Sequence, residues 1–187
     1  GCLLAMALHL FGTMSLWIAL LARKSPWAFF KNIRPVLVTA FSTSSSNATL
    51  PTSLAIAQEE LKLRPTTSGF VLPLGATMNM SGTALFEGCV VLFIAQVFGV
   101  ELSLATQVIM LLLAVLSAVA VSGIPGGSLP MIAGLLATFG IPPEGIGIII
   151  GVDRILDMMR TTVNVGSDIV TASVVDRQLR GRIAATP

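Results

Sequence analysis

Asp153-Arg-Ile-Leu-Asp157-Met-Met-Arg160-Thr161-Thr-Val-Asn164-Val-Gly-Ser-Asp168 places acids, arginines and amide groups inside a segment that otherwise reads as a membrane-spanning helix. Burying one Asp or Arg at the centre of a span costs roughly 2.5 to 3.5 kcal/mol. Asp153, Arg154, Asp157, Arg160 and Asp168 together would cost on the order of 15 kcal/mol against lipid, so the sequence predicts that they do not face it. At about 100° per residue, Asp153, Asp157, Arg160, Thr161, Asn164 and Asp168 fall in one stripe about 100° wide. The helix is expected to line a polar site at membrane depth.

Composition sets the same scene. Hydrophobic residues make up 54% of the chain and charged residues 11%, with mean hydropathy +0.89. A soluble domain is about 25% charged, so the expectation is an all-α integral membrane protein. The formal charge of +2 comes from scattered loop cations and points to no nucleic-acid partner. Cys2 and Cys89 sit in apolar surroundings, where free, packed thiols are expected rather than a disulfide or metal ligands. The chain opens Gly-Cys-Leu-Leu without an initiator Met and is read as a piece of a longer protein. Its first stretch lacks a basic leader and is long enough to span, unlike a signal peptide.

Residues 3–22 form an ordinary span in which His9 is the one ionisable group, read as a helix-contact residue. Residues 23–31 read as a basic interfacial loop with Trp27, Phe29 and Phe30. Over residues 34–63 the apolar run is broken by Ser42-Thr-Ser-Ser-Ser-Asn47 and Pro51. That leaves arms of roughly 8 to 12 residues, too short for a hydrocarbon core about 30 Å thick, and predicts a re-entrant hairpin.

Residues 68–98 could span, but Gly75-Ala-Thr77-Met-Asn79-Met-Ser81-Gly82-Thr83 interrupts them; freed carbonyls at that depth need a cavity or an ion. Residues 102–139 are broken by Ser122-Gly-Ile-Pro-Gly-Gly-Ser-Leu-Pro130, a second hairpin, and residues 145–175 form the polar-faced helix. The chain thus divides into 1–32, 33–99 and 100–187.

Thr49-Leu50-Pro51 and Ser128-Leu129-Pro130 each follow a Ser/Gly-rich tip, with Asn79 and Asp157 about 28 residues further on. This order predicts an internal repeat, and paired interrupted segments point to a transporter's binding site. The cations Arg23, Lys24, Lys31, Arg34, Lys62, Arg64, Arg177, Arg180 and Arg182 fall on one side if each hairpin returns to the side it left. The positive-inside rule makes that side, with the C-terminus, cytoplasmic. Two full crossings per hairpin would give the same parity.

A serine-rich tip, Asn-Met-x-Gly-Thr, Gly-Ile-Pro-Gly-Gly and Asp-x-x-x-Asp-x-x-Arg-Thr-x-x-Asn-x-x-x-Asp follow one another in this order. On these motifs the whole chain resembles the dicarboxylate/amino acid:cation symporters, the glutamate transporter type. The resemblance implies a transport core with two re-entrant hairpins and two interrupted or polar-faced helices in inverted repeat, held in the longer protein by a trimeric scaffold in the cell membrane. It implies that Ser45 and Ser46 hold the substrate's carboxylate, that Thr83 contacts its side chain, and that residues 124–128, with Gly127 and Ser128, close as a gate. Asp157 would accept from the amino group and Arg160 would pair with the side-chain carboxylate, with Thr161 and Asn164 completing the site. A guanidinium offers a planar fork suited to a carboxylate.

The resemblance also implies cation sites. Gly75, Asn79, Asn164 and Asp168 match one sodium site, and Thr77 with carbonyls near 118–121 matches a second. Relatives place an aspartate of a third site where this chain has Ser81, a change that removes a full counter-charge and implies coupling to fewer than three sodium ions. Relatives with a glutamate at the position of Glu87 use it to carry a proton; the alternative is a Glu hydrogen-bonded between helices. No enzyme cofactor is implied, only sodium ions and/or protons.

Arg160 and Asp157 together favour an acidic amino acid over a C4-dicarboxylate or a neutral amino acid. An intramembrane serine hydrolase would rest on the lone His9, and an ion channel on the polar helix breaks.

Overall fold

The structure, a computed structural model, describes residues 1–121 and 125–184, and every element among them is helical. Helix α1 (Cys2–Ala22) contains two π-helical turns, His9–Thr13 and Ile18–Ala22, and stops at Arg23, whose φ of 50° is left-handed. Helix α2 (Pro26–Thr43) starts on a proline at its first turn, where the missing N–H would be unpaired anyway. Left-handed Ser44 turns the chain, and Ser45 caps α3 (Ser46–Glu59) by accepting from the Ala48 amide at 3.2 Å. Helices α4 (Pro65–Met78) and α5 (Ser81–Val97) are collinear in sequence but broken at Asn79 and Met80. Helices α6 (Leu104–Ala120) and α7 (Leu129–Thr138) make the second hairpin, and a 3₁₀ turn leads into α8 (Ile146–Ala184).

Three expectations are corrected. The stretch expected as an interfacial loop is helical from Pro26, so the first hairpin arm has 18 residues. It rises about 27 Å, and length alone does not prevent it from crossing. The last helix runs nine residues past 175, because the Arg-, Gln- and Leu-containing tail has good helix propensity. Arg154 is exposed, about 100° around the helix from Asp153. It sits about 12 Å from the start of α8, within reach of a snorkelling guanidinium.

Helix α8 is the axis of the molecule. It packs on α1 through α5 and on α7, and every residue from Arg160 to Val170 is buried, including Thr161, Thr162, Asn164, Ser167 and Asp168. Leu4 (64%), Leu8 (62%) and Leu20 (64%) on α1, and Leu112 (61%) and Leu116 (68%) on α6, are exposed. An apolar exterior around a polar axis is the arrangement that a bilayer selects. Two helical runs, Cys2–Ala22 and Pro65–Val97, are long and apolar enough to cross a membrane.

In hydrocarbon, apolar contact gains little over lipid, so close backbone approach and hydrogen bonds hold helices together. Gly75 and Gly82 provide that approach. A Cβ at Gly75 would lie 2.5 Å from Asp168 Oδ1, and one at Gly82 would lie 2.6 Å from the Arg160 carbonyl oxygen.

At the far end of α8, Asp176 pairs with Arg64 (2.8 Å) and Arg180 (2.6 Å). Burial alone raises its carboxyl, but hydrogen bonds from Arg64 and Arg180 hold it down to about 2. This stabilisation is present above the ordinary carboxyl value near about 4 and fades as pH falls toward 2.

Candidate functional site

The break between α4 and α5 leaves amides at the start of α5 without helical partners. Asn164 supplies them from α8: its Oδ1 accepts from the amides of Gly82 (2.7 Å) and Thr83 (3.2 Å), and its Nδ2 donates to Thr83 Oγ1 (3.0 Å). On the other side of the break, Asn79 Nδ2 donates to Asp168 Oδ1 (2.9 Å) and to Ser167 Oγ (3.0 Å).

Gly75, Asn79, Asn164 and Asp168 are thus brought together. A buried carboxylate faces the carbonyl end of α4, which carries about half a negative charge; both features favour a cation, and the oxygens suit a hard one. The Asn164 oxygen is engaged by two amides, so its work in this geometry is to hold the break open.

Thr77 stands apart from this cluster. It is exposed, and its hydroxyl donates to Leu74 O of its own helix at 2.8 Å. Ser81 faces α1, where His9 Nε2 lies 3.2 Å from its hydroxyl oxygen, so His9 does make a helix contact. Both line a largely apolar cavity of about 460 Å³ between α1, α5 and α6, which Cys89 also borders. Cys2 and Cys89 are free thiols.

One turn outward along α8, Asp157 (2% exposed) and Arg160 (3%) form a buried ion pair. Arg160 also donates to the Ser128 hydroxyl, and its guanidinium lies 5.1 Å from the centre of the Phe86 ring. Asp157 Oδ2 accepts from the Gly126 amide at 3.0 Å, and Gly126 has φ +72°. The tip of the second hairpin is therefore fastened to α8 by the two charged residues of the site.

A buried ion pair is weak evidence for stability, since desolvation offsets most of the attraction. Its placement under a glycine-rich tip makes it the contact between that tip and α8. Thr83 and Thr161 are buried, Gly127 is half-buried, and Asp153, also half-buried, has an unpaired Oδ1. Residues 122–124, including Ile124 of the expected gate, lie outside the described residues. Ser45 and Ser46 are buried at the tip of the first hairpin, beside the buried, unpaired hydroxyl of Ser44.

Glu87 is fully buried on α5, where one carboxylate oxygen accepts from the Ser117 hydroxyl of α6 and the other has no partner. Phe86, Ser117, Ser167 and the close-approach role of Gly82 were not anticipated from the sequence. Ser117 alone carried a usable signal, as the single polar residue in the apolar run 108–121.

The chain also has relatives among known proteins. The sodium:dicarboxylate symporter family matches residues 1–178. The Caenorhabditis elegans protein named "Putative sodium-dependent excitatory amino acid transporter glt-4" is 39% identical over 175 residues, 94% of this chain and 35% of its own length. Excitatory amino acid transporter 1 of Homo sapiens is 36% identical over 178 residues, 95% of this chain and 33% of its own length. The chain spans about a third of the length of these relatives. It belongs to the sodium:dicarboxylate symporter family, a family of transporters and not of enzymes.

Proposed function

We propose that this chain is the transport core of a secondary active symporter that couples uptake of an acidic amino acid, glutamate or aspartate, to sodium entry by alternating access. The observation that carries the reading is the buried Asp157–Arg160 pair under the second hairpin tip. An amino acid with a side-chain carboxylate offers each residue an opposite charge in exchange for the one it has: ammonium for Asp157, carboxylate for Arg160. A C4-dicarboxylate would leave Asp157 without its cation, and a neutral amino acid would leave Arg160 without its anion. The names of the relatives, sodium-dependent and excitatory amino acid transporters, support the same substrate class.

In this reading Ser45 and Ser46, at the start of α3, meet the backbone carboxylate, aided by the positive end of that helix. Thr83, Thr161 and Asn164 complete the pocket, and Gly127 and Ser128 close it. Sodium binds at Gly75, Asn79, Asn164 and Asp168, with Thr77 and the carbonyls at 118–121 as a second site requiring rotation of the Thr77 hydroxyl. Ser81 lacks the charge for a third, and Glu87 carries a proton in its place.

The hairpins are re-entrant and form an inverted repeat with the helices that follow them, across the division 33–99 and 100–187. The loop cations and the C-terminus are cytoplasmic, and the full-length protein is a homotrimer in the cell membrane. The test is Asp157→Asn in the full-length protein. Affinity for aspartate should fall while any affinity for succinate is kept; an equal effect on both would remove Asp157 as the amine partner.

A further inference from the structure

Where α1 ends, α3 ends and the last turns of α8 pass, a cavity of about 570 Å³ opens, remote from the Asp157–Arg160 site. Arg23, Lys24, Lys62, Arg177 and Arg180 line it against one carboxylate, Asp176. Part of this charge has local work. Lys24 Nζ donates to Leu61 O (3.3 Å), Arg177 Nη1 to Ala22 O (3.3 Å) and Arg180 Nη2 to Lys62 O (2.7 Å), satisfying one carbonyl at the end of α1 and two just beyond α3.

Those contacts do not balance the charge. Two helix ends supply about half a negative charge each, and Asp176 is shared with Arg64 outside the cavity, so together they offset at most about two of the five cations. Neither Arg23 nor Lys62 has an ion-pair partner among the described residues. Burial pushes the Lys24 ammonium below the usual lysine range, Asp176 pulls it back, and Arg180 lowers it further.

A second observation points into the same space. Ser173, on the face of α8 that lines the cavity, is 1% exposed, and its hydroxyl has no hydrogen-bond partner. A serine inside a helix ordinarily bonds back to the preceding turn or turns to solvent; this one does neither. Lys and Arg side chains with a buried hydroxyl behind them make a donor set for a multiply charged oxyanion. A water takes up about 30 Å³, so the cavity has room for a substituted headgroup and not only a bare ion.

We propose that this cavity binds a phosphate group, carried by an anionic phospholipid headgroup or by a soluble phosphate, with Lys62, Arg23 and Arg177 supplying charge and Ser173 a buried hydrogen bond. Basic pockets between membrane helices on the cytoplasmic side suit lipid phosphates. Assigning that side rests on the orientation proposed above, but recognition of phosphate does not.

The test uses the full-length protein in detergent at fixed ionic strength, with binding read by thermal shift. The probes are a short-chain phosphatidylinositol phosphate, inorganic phosphate, and short-chain phosphatidylcholine as the uncharged control. The variants are Lys62→Gln with Arg23→Gln, two exposed side chains, and Ser173→Ala. Wild type should bind the phosphorylated lipid over phosphatidylcholine, with affinity falling about fivefold for each cation removed and about fivefold in Ser173→Ala.

Inorganic phosphate binding with the same dependence on these variants would support the site and assign it a soluble ligand; binding of the lipid alone would assign a headgroup. Wild-type protein that binds neither, or variants that bind both as wild type does, would overturn the proposal. Lost aspartate uptake with phosphate binding intact would count against the symporter reading and not against this one.

Discussion

At the tip of the first hairpin several hydrogen bonds run within the tip itself, although the buried Ser44 hydroxyl has no partner. Ser45 caps α3, the Thr49 hydroxyl donates to Ser45 O at 2.8 Å, and the Thr43 hydroxyl reaches Thr49 Oγ1 at 3.2 Å and Ser45 O at 3.3 Å. At the tip of the second hairpin the polar anchors among the described residues come from another helix: Asp157 receives the Gly126 amide and Arg160 reaches Ser128. Bonds made within a tip do not depend on the charges of α8. A tip held by the two charges of the binding site must respond when those charges change partners. On this contrast we propose that the second hairpin is the moving part, with ligand and gate sharing one closed state.

The largest effect expected is that of Arg160→Cys, which removes the anchor to Ser128 and leaves Asp157 buried without its cation. Breaking a buried pair costs roughly 3 to 5 kcal/mol, so aspartate uptake should fall more than about 100-fold while some affinity for small neutral amino acids survives. Radiolabelled uptake checks it; unchanged aspartate affinity would contradict the role of Arg160.

Next comes the gate backbone. Gly126, at φ +72°, occupies a conformation that costs a side chain about 1 to 3 kcal/mol, whereas Gly127 has no positive φ. Gly126→Val should therefore weaken aspartate and sodium binding together by about 10-fold or more, and Gly127→Val by less. Lost substrate binding with sodium binding untouched would separate gate from ion.

How much of this was legible follows the range of each interaction. The stripe on α8 was readable because 3.6-residue periodicity lies in the sequence, and the α4–α5 break because glycine and small polar residues interrupt an apolar run. The start of α2 was missed because Trp27, Phe29, Phe30 and Lys31 compose an interfacial loop as readily as a helix, although Pro26 was a first-turn signal. Phe86 under Arg160, Ser117 on Glu87 and His9 on Ser81 pair residues more than 25 positions apart, which no local pattern encodes. Thr77 shows the converse: a motif match fixed its position but not where its hydroxyl points.

A smaller effect is expected at Glu87, whose partner Ser117 sits on the first arm of the moving hairpin. Glu87→Gln should leave exchange of internal for external substrate largely intact and make it insensitive to pH. Ser117→Ala should displace the pH profile of uptake, and Ser117→Thr should restore it. Proton-driven accumulation unchanged in Glu87→Gln would return Glu87 to a structural contact. The smallest effect falls on the first tip, where Thr49→Val removes hydrogen bonds worth about 1 kcal/mol. It should lower thermal stability slightly without altering how sodium affects substrate affinity; a changed coupling would mean the first tip moves too.

The most direct measurement is uptake of labelled aspartate, glutamate and succinate by the full-length protein in proteoliposomes, with sodium and proton gradients imposed separately. The account predicts saturable accumulation of aspartate or glutamate against its gradient when sodium is driven inward, enhanced by an inward proton gradient, with succinate excluded. Flux that does not saturate, that needs no sodium gradient, or that carries succinate as well as aspartate would contradict it.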